Sequence, residues 1–190
     1  MKTVRAFLAV PVDEKIVAAA QLVQRELAQR LPEVHWVAPQ TMHLTLKFFG
    51  AIPQEKCARI MALMPLLAPR LTAFDTSITG LGVFPSPRRA TVFWLGMGNL
   101  AAFRRLHAAT EDSLAAAGID RDPRPYTPHL TLGRSKKPLD LSGGLLEKYR
   151  HISCEKTRAE KLVLFESRLQ PQGAVHLPIL SVALTGKGEI

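Results

Sequence analysis

The chain has 190 residues, of which 47% are hydrophobic and 22% are charged, a composition typical of globular proteins and not of disordered or fibrous ones. Lys and Arg number 25 against 16 Asp and Glu; this surplus of +9 suggests a polyanionic partner such as nucleic acid, and a basic protein without one is the alternative. No apolar run is long enough to cross a bilayer, and the two cysteines form neither a metal motif nor a disulfide framework. A cytoplasmic protein without membrane contact or an obligate protein partner is therefore expected.

Strands and helices alternate along the chain. The predicted elements are, in order, a strand at 4–10, a helix at 13–30, a strand at 43–49, a helix at 53–67, strands at 74–79 and 91–95, a helix at 99–117, a strand at 129–132, a helix at 145–149, and strands at 162–166 and 175–184. Asp13, Pro53 and Asn99 begin three of the helices because these residue types are favoured at helix N-termini.

Two segments between the predicted elements are predicted as loops, the Gly/Pro-rich 80–89 and the basic 134–138. A strand, a long helix and a further strand occur in the first quarter of the chain and again in its middle. The pattern predicts a single α+β domain over residues 1–190, made of two similar halves.

The tetrapeptide HLTL occurs twice, at 43–46 and at 129–132, so its copies lie 86 residues apart. One His-x-Thr is usually an ordinary strand histidine beside a threonine that favours strands. Two identical copies in a chain with six histidines indicate an internal repeat.

Alternate side chains of a strand point to opposite faces. Each motif therefore buries its two leucines and presents one imidazole with one hydroxyl, namely His43 with Thr45 and His129 with Thr131. The same alternation puts Lys47 on the His43 face, where a solvated lysine is expected.

Two imidazoles can act as general acid and general base near neutral pH, and two hydroxyls can hold the anionic oxygens of a phosphate. This set suits in-line cleavage of a phosphodiester without a metal or other cofactor. A metal site is the competing interpretation, but neither motif contains a carboxylate, HxH or HExxH. Nucleophilic catalysis is not indicated, since GxSxG is absent and neither cysteine adjoins a histidine.

The two motifs and their flanks resemble the RNA 2′,3′-cyclic phosphodiesterases, also called 2′-5′ RNA ligases, a family of the two-histidine phosphoesterase superfamily. That superfamily is identified by paired His-x-Thr/Ser-x motifs. The matching flanks are RAFLAV at 5–10, WVAPQTMHLTLKFFG at 36–50, GVFPSPRRATVFWLG at 82–96, PYTPHLTLGR at 125–134 and LVLFESRL at 162–169.

The resemblance implies a bilobal fold in which two antiparallel sheets, related by a pseudo-twofold axis and with helices outside, meet at a central cleft. It also implies that His43 is the proton donor, that His129 is the proton acceptor, and that Thr45 and Thr131 hold the phosphate. The implied reaction is hydrolysis of an RNA 2′,3′-cyclic phosphate end, or of a cyclic nucleotide, to a 2′-phosphate. Reverse, ATP-independent 2′-5′ joining is implied as a second reaction.

Two further residues are candidates for binding the substrate. Arg134 could neutralise phosphate or stack on a base, and Tyr126 could stack on a base or wedge against the neighbouring prolines. The other four histidines are expected to be structural or exposed: His35, His107, His151 and His176. His176 occupies a position where the family usually has Tyr, which leaves the substrate preference open.

Two other functions stay open from the sequence. One is a sister phosphoesterase acting on another cyclic nucleotide, a 2′-5′ oligonucleotide or an ADP-ribose cyclic phosphate. The other is an RNA-binding module that has kept the cleft without turnover.

Overall fold

The computed structural model describes residues 2–170 and 173–186. Its strands are β1 (Thr3–Pro11), β2 (Val34–Trp36), β3 (His43–Pro53), β4 (Phe74–Thr76), β5 (Ile78–Phe84), β6 (Ala90–Met97), β7 (His129–Leu139), β8 (Thr157–Ala159), β9 (Lys161–Gln170) and β10 (Gly173–Ala183). Its α-helices are α1 (Glu14–Ala28), α2 (Gln54–Leu67), α3 (Leu100–Ala116) and α4 (Leu145–Lys148).

The strands form two four-stranded sheets and one small ribbon. The first sheet has the order β10-β9-β1-β3 and the second has the order β2-β7-β6-β5, with antiparallel pairing throughout, while β4 pairs with β8. Each HLTL motif begins a strand, β3 in the first sheet and β7 in the second, and these two strands contact each other. The predicted α+β class with antiparallel sheets is confirmed.

The helix ends follow the predicted capping chemistry. The Asp13 carboxylate accepts the Lys15 backbone N–H at 2.8 Å, and the Asn99 side chain accepts the Ala102 backbone N–H at 3.3 Å. Gly118 follows α3 with a φ of +76°, a conformation that residues with a Cβ rarely adopt.

Both motif strands contain a β-bulge at the second leucine of HLTL. Thr45 pairs with Ala9 and Lys47 pairs with Leu8, so Leu46 is an additional residue in β3. In a bulge, two residues face one partner and the alternation of side chains shifts by one position beyond it.

The second motif repeats this irregularity. Thr131 pairs with Trp94 and Gly133 pairs with Phe93, which leaves Leu132 as the additional residue of β7. Bulges at matching positions support the predicted internal repeat.

Three predictions from the sequence are wrong. Segment 80–89 is not all loop, because β5 runs through Phe84. Segment 134–138 belongs to β7, although no residue from 135 to 138 pairs with β6. Lys47 does not share the His43 face, because the bulge turns it inward, where it is 5% exposed.

The helices of the two halves pack across the molecule. Helix α1 follows β1 of the first sheet, yet the Gln24 amide on α1 donates to the carbonyl of bulged Leu132 in β7 at 2.8 Å. Helix α3 follows β6 of the second sheet, yet Glu111 on α3 binds Lys47 of β3. Each motif strand is thus supported from behind by a helix of the other half. Within the part of the chain described above, no helix is long and apolar enough to span a membrane.

Candidate active site

The two motifs meet at a cleft of about 510 Å³. His43 and Thr45 of β3 line it from one side, and Thr131 and Arg134 of β7 line it from the other. The leucines of both motifs are at most 3% exposed, as predicted, and hold the strands against the core. His129 stands two residues before Thr131 on the same face of β7.

His43 is held by its Nδ1 atom, which lies 2.7 Å from the backbone carbonyl oxygen of Thr41. A carbonyl oxygen can only accept, so Nδ1 carries a proton and Nε2 is left for a ligand. The ring stacks on Phe7 with 4.7 Å between centroids and meets the His176 ring edge-on at 5.1 Å.

These surroundings lower the pKa of His43 from 6.5 to about 4. Burial is the largest cause, because it disfavours the charged imidazolium, and the charges of His176 and His129 act in the same direction. The Thr41 carbonyl opposes them. His43 is accordingly neutral at pH 7 in the absence of a bound anion.

His129 repeats the arrangement in the second half. Its Nδ1 lies 2.7 Å from the backbone carbonyl oxygen of Thr127, so its Nε2 is also free for a ligand. Phe84 meets the ring edge-on at 5.1 Å, and Trp94 lies at 5.9 Å. Burial lowers the pKa of His129, the positive charge of Arg134 lowers it further, and the Thr127 carbonyl opposes both.

The two threonine hydroxyls are available to a ligand. Neither Thr45 nor Thr131 forms a side-chain hydrogen bond within residues 2–170 and 173–186, and both are partly exposed. The two hydroxyls therefore face the cleft beside His43, where they can donate hydrogen bonds to the oxygens of a phosphate.

Arg134 reaches the cleft because of the bulge at Leu132. Strict alternation would place it on the opposite face from Thr131, but the additional residue returns it to the Thr131 side. Phe48 of β3 is the equivalent residue of the first half, and it lines the cleft for the same reason. The Arg5 guanidinium lies 4.7 Å above the Phe48 ring, which adds a second cation to this wall.

The structure does not bring Tyr126 into this group. Its ring stacks on His107 of α3 with centroids 4.2 Å apart and planes 1° from parallel. Burial raises the pKa of its hydroxyl, which has no hydrogen-bond partner within the described ranges. The contact of Tyr126 is with a helix, not with the cleft.

The sequence interpretation missed several cleft residues. His35 and His176 were expected to be structural or exposed, and both line the cleft. His35 of β2 lies opposite Arg134 in the strand pairing with β7, and the His176 ring faces the His43 ring. Arg5 could have been found, because it begins the segment RAFLAV that matches the family. His35 and His176 carry no such signal, because their neighbours in space are far away in sequence.

Among the residues that the structure describes, no three His, Cys, Asp or Glu side chains lie close enough to hold a metal ion together.

A family model and curated relatives identify one family. The family model of the 2′-5′ RNA ligase superfamily matches residues 11–169. An RNA 2′,3′-cyclic phosphodiesterase of Methanothermobacter thermautotrophicus is 35% identical over 175 residues, which are 91% of this chain and 95% of the relative. A protein of the same name from Archaeoglobus fulgidus is 30% identical over 172 residues, covering 90% and 96%.

Solved structures agree on the fold. A protein of Thermus thermophilus superposes with a TM-score of 0.81 at 26% identity, over 97% of this chain and all of the other. Apo LigT of Escherichia coli superposes with a TM-score of 0.74 at 22% identity, over 97% of this chain and 99% of the other.

Proposed function

The chain belongs to the 2′-5′ RNA ligase superfamily, and from that premise we propose that it hydrolyses RNA 2′,3′-cyclic phosphate ends to 2′-phosphates by paired histidine acid–base catalysis. The family resemblance seen in the sequence is confirmed, and the chain is an enzyme of the cyclic phosphodiesterase type. The roles of individual residues below are our proposal.

One observation carries the mechanism, the matched presentation of the two imidazoles. Both Nδ1 atoms are engaged at 2.7 Å by a backbone carbonyl two residues earlier, so both Nε2 atoms are free to exchange protons with a ligand. Phosphate binding alone needs donors and positive charge, not two groups able to gain and lose protons near neutral pH.

In the proposed reaction, the cyclic phosphate lies between the two strands. The hydroxyls of Thr45 and Thr131 donate to its non-bridging oxygens, and Arg134 offsets its charge. His129 Nε2 takes a proton from water as the water oxygen attacks phosphorus. The bond from phosphorus to O3′ breaks in line, and His43 Nε2 protonates O3′, which leaves the phosphate on O2′.

The low pKa of His43 is compatible with its role as the acid. The free imidazole is neutral at pH 7, but a bound phosphate anion favours the imidazolium through its opposite charge. An imidazolium that is otherwise poorly tolerated by its surroundings gives up its proton readily, which assists departure of O3′.

Joining of RNA ends is proposed as a second reaction of the same groups. A 5′-hydroxyl in place of water would attack the phosphate, and departure of O3′ would leave a 2′-5′ linkage. No ATP is required, because the P–O3′ ester bond of the cyclic phosphate is exchanged for a new ester bond from phosphorus to the 5′-oxygen.

The test is hydrolysis of adenosine 2′,3′-cyclic phosphate and of an oligoribonucleotide ending in a cyclic phosphate, with the product identified by phosphorus NMR. We expect a 2′-phosphate from both substrates, with His43→Ala and His129→Ala losing about 10²–10⁴-fold in rate. His151→Ala removes an exposed imidazole as the matched control and should retain the wild-type rate. Turnover only of a 2′-5′ oligonucleotide would favour a sister phosphoesterase, and binding without turnover would favour a non-catalytic module.

A further inference from the structure

An ion pair lies buried directly behind the first motif. Lys47 Nζ is 2.6 Å from Glu111 Oε1, and the two side chains are 4% and 5% exposed. Burying two charges costs so much that apolar replacement of such a pair often leaves stability unchanged or raises it. Stability alone therefore does not account for this pair.

Each end of the pair also holds the segment that leads to the second motif. Lys47 Nζ donates to the Asp120 carbonyl oxygen at 2.8 Å, and Glu111 Oε2 accepts the Asp122 backbone N–H at 3.3 Å. Residues 117–128 connect α3 to β7 without a helix or strand of their own. A connection of this length needs such contacts to keep one conformation.

The same segment orients His129. Its Thr127 carbonyl oxygen accepts from His129 Nδ1 at 2.7 Å, and its Tyr126 ring stacks on His107, one turn before Glu111 on α3. Lys47, at the other end of the pair, is two residues past Thr45 and follows the bulge in β3. The pair thus connects the strand that carries Thr45 to the loop that sets the direction of His129.

We propose that Lys47 and Glu111 are positioning residues, which hold the His129 loop against the Thr45 strand so that imidazole and hydroxyl meet the same phosphate. The proposal rests on the proposed function, since it concerns the geometry of that reaction. Neither residue touches the substrate. Both act through Thr45 and the Thr127–His129 hydrogen bond.

Among the residues that the structure describes, the second half has no such ion pair at the equivalent place. Gly133 occupies the position equivalent to Lys47, and β2 fills the space beside it. The pair is therefore not a feature of the repeat itself, and it connects one half to the other.

Two double variants separate positioning from stability. Lys47→Met with Glu111→Leu replaces the pair by apolar groups and removes both contacts with residues 120 and 122. Lys47→Met with Glu111→Gln also removes the charges but keeps an acceptor for the Asp122 N–H. Each double variant avoids the isolated buried charge that a single substitution would leave.

We expect the Met/Leu variant to melt within a few degrees of wild type, with kcat on the cyclic phosphate reduced about 10- to 100-fold and KM little changed, since misplacement of a catalytic group by 1 Å costs about 10²-fold. The Met/Gln variant should lose less. The control is Arg121→Gln, which breaks an exposed 2.6 Å ion pair between the same loop and Asp112 of α3 and should not alter kcat.

A second measurement does not depend on turnover. The NMR signal of the His129 Nδ1 proton should exchange with water faster in the Met/Leu variant than in wild type, because the Thr127 carbonyl is no longer held in place. If the wild-type protein hydrolyses no cyclic phosphate, the proposed function is refuted. The exchange rate of the His129 Nδ1 proton would still test the positioning role. Wild-type kcat and exchange in the Met/Leu variant would overturn the proposal, as would a loss of kcat equal to the loss of folded protein.

Discussion

The two motif strands, β3 and β7, share the backbone arrangement of their HLTL motifs but have different surroundings. Each begins with HLTL, anchors the histidine through a 2.7 Å contact of Nδ1 with a backbone carbonyl, and bulges at the second leucine. Beyond the bulge, β3 continues with buried Lys47 and exposed Phe48. Strand β7 continues with Gly133 and Arg134.

The histidines differ in their neighbours. His43 lies against Phe7 and a second imidazole, His176, whereas His129 lies against Phe84 and Trp94. The pKa of His43 falls to about 4, mainly through burial, while the pKa of His129 is lowered by burial and also by the charge of Arg134. The repeat supplies two imidazoles that are held in the same way, and residues outside the repeat give them different surroundings.

The largest effect should come from separating acid from base. Replacing the leaving 3′-oxygen by sulfur lets the group depart without a proton, because a thiol is far more acidic than an alcohol. On this substrate His43→Ala should recover most of its deficit of about 10²–10⁴-fold, while His129→Ala should stay slow because water still needs its base. Initial rates on the oxygen and sulfur substrates measure the difference.

The reverse pattern of rescue would exchange the two roles. Rescue of neither variant would mean that both histidines mainly bind the phosphate. The two losses on the oxygen substrate should not multiply in the double variant, because the residues act as one unit.

Removing the threonine hydroxyl should slow the reaction to a similar extent in the two halves. This tests whether the two HLTL motifs are equivalent. Thr45→Val and Thr131→Val each remove one hydroxyl at nearly constant shape. A hydrogen bond to a charged oxygen contributes about 1.5–3 kcal/mol, so each change should slow kcat/KM about 10- to 150-fold. A wild-type rate in either variant would show that its hydroxyl does not contact the phosphate.

The pH dependence should report the inequality of the histidines. In the proposed mechanism the reactive free enzyme has one protonated and one neutral imidazole, and this state is most populated between the two pKa values. Since the pKa of His43 is about 4 and that of His129 is lowered from 6.5, kcat/KM should peak below pH 6.5 and fall about tenfold per unit at higher pH.

His176→Phe sharpens this measurement by removing one charge that lowers the pKa of His43. The acidic limb of kcat/KM should then move to higher pH, with the alkaline limb in place. A maximum of kcat/KM above pH 7 in wild type would contradict the lowered pKa values.

The smallest effect is expected on stability, from a substitution at Gly133, the residue that follows the bulge in β7. A Cβ built on Gly133 would lie 2.6 Å from Val34 Cγ1 and 3.1 Å from the His35 carbonyl oxygen, so Gly133→Ala must displace β2 from β7. We expect a loss of about 1–3 kcal/mol, measured as a lower Tm in calorimetry. Gly143→Ala is the control, since nothing lies within 4 Å of its Cβ position and its Tm should change little. Equal Tm values for both variants would show that β2 yields freely.

The sequence alone determined the helix starts and the local arrangement of the HLTL motifs. Capping residues such as Asp13 and Asn99 act on backbone groups two or three residues away, so their effect is visible in the chain itself. The repeated HLTL likewise predicted buried leucines beside a presented imidazole and hydroxyl, because alternation in a strand depends only on neighbouring residues.

Only the tertiary structure decided what lies beyond the fourth residue of each motif. A bulge arises from pairing with another strand, β1 for Leu46 and β6 for Leu132, and it reverses the alternation of the residues that follow up to the next irregularity in the pairing. For this reason Lys47 was predicted on the wrong face, while Arg134 fitted no strict alternation until the bulge was seen.

The same limit applies to the groups that distinguish the two histidines. His176 reaches His43 from β10, and Glu111 reaches Lys47 from α3, more than sixty residues along the chain in each case. Sequence patterns determined which residues are candidates for catalysis, since residue type and the alternation of side chains in a strand can be read from the sequence. The packing of distant strands and helices determined how those residues differ, because burial and neighbouring charge exist only once the chain has folded.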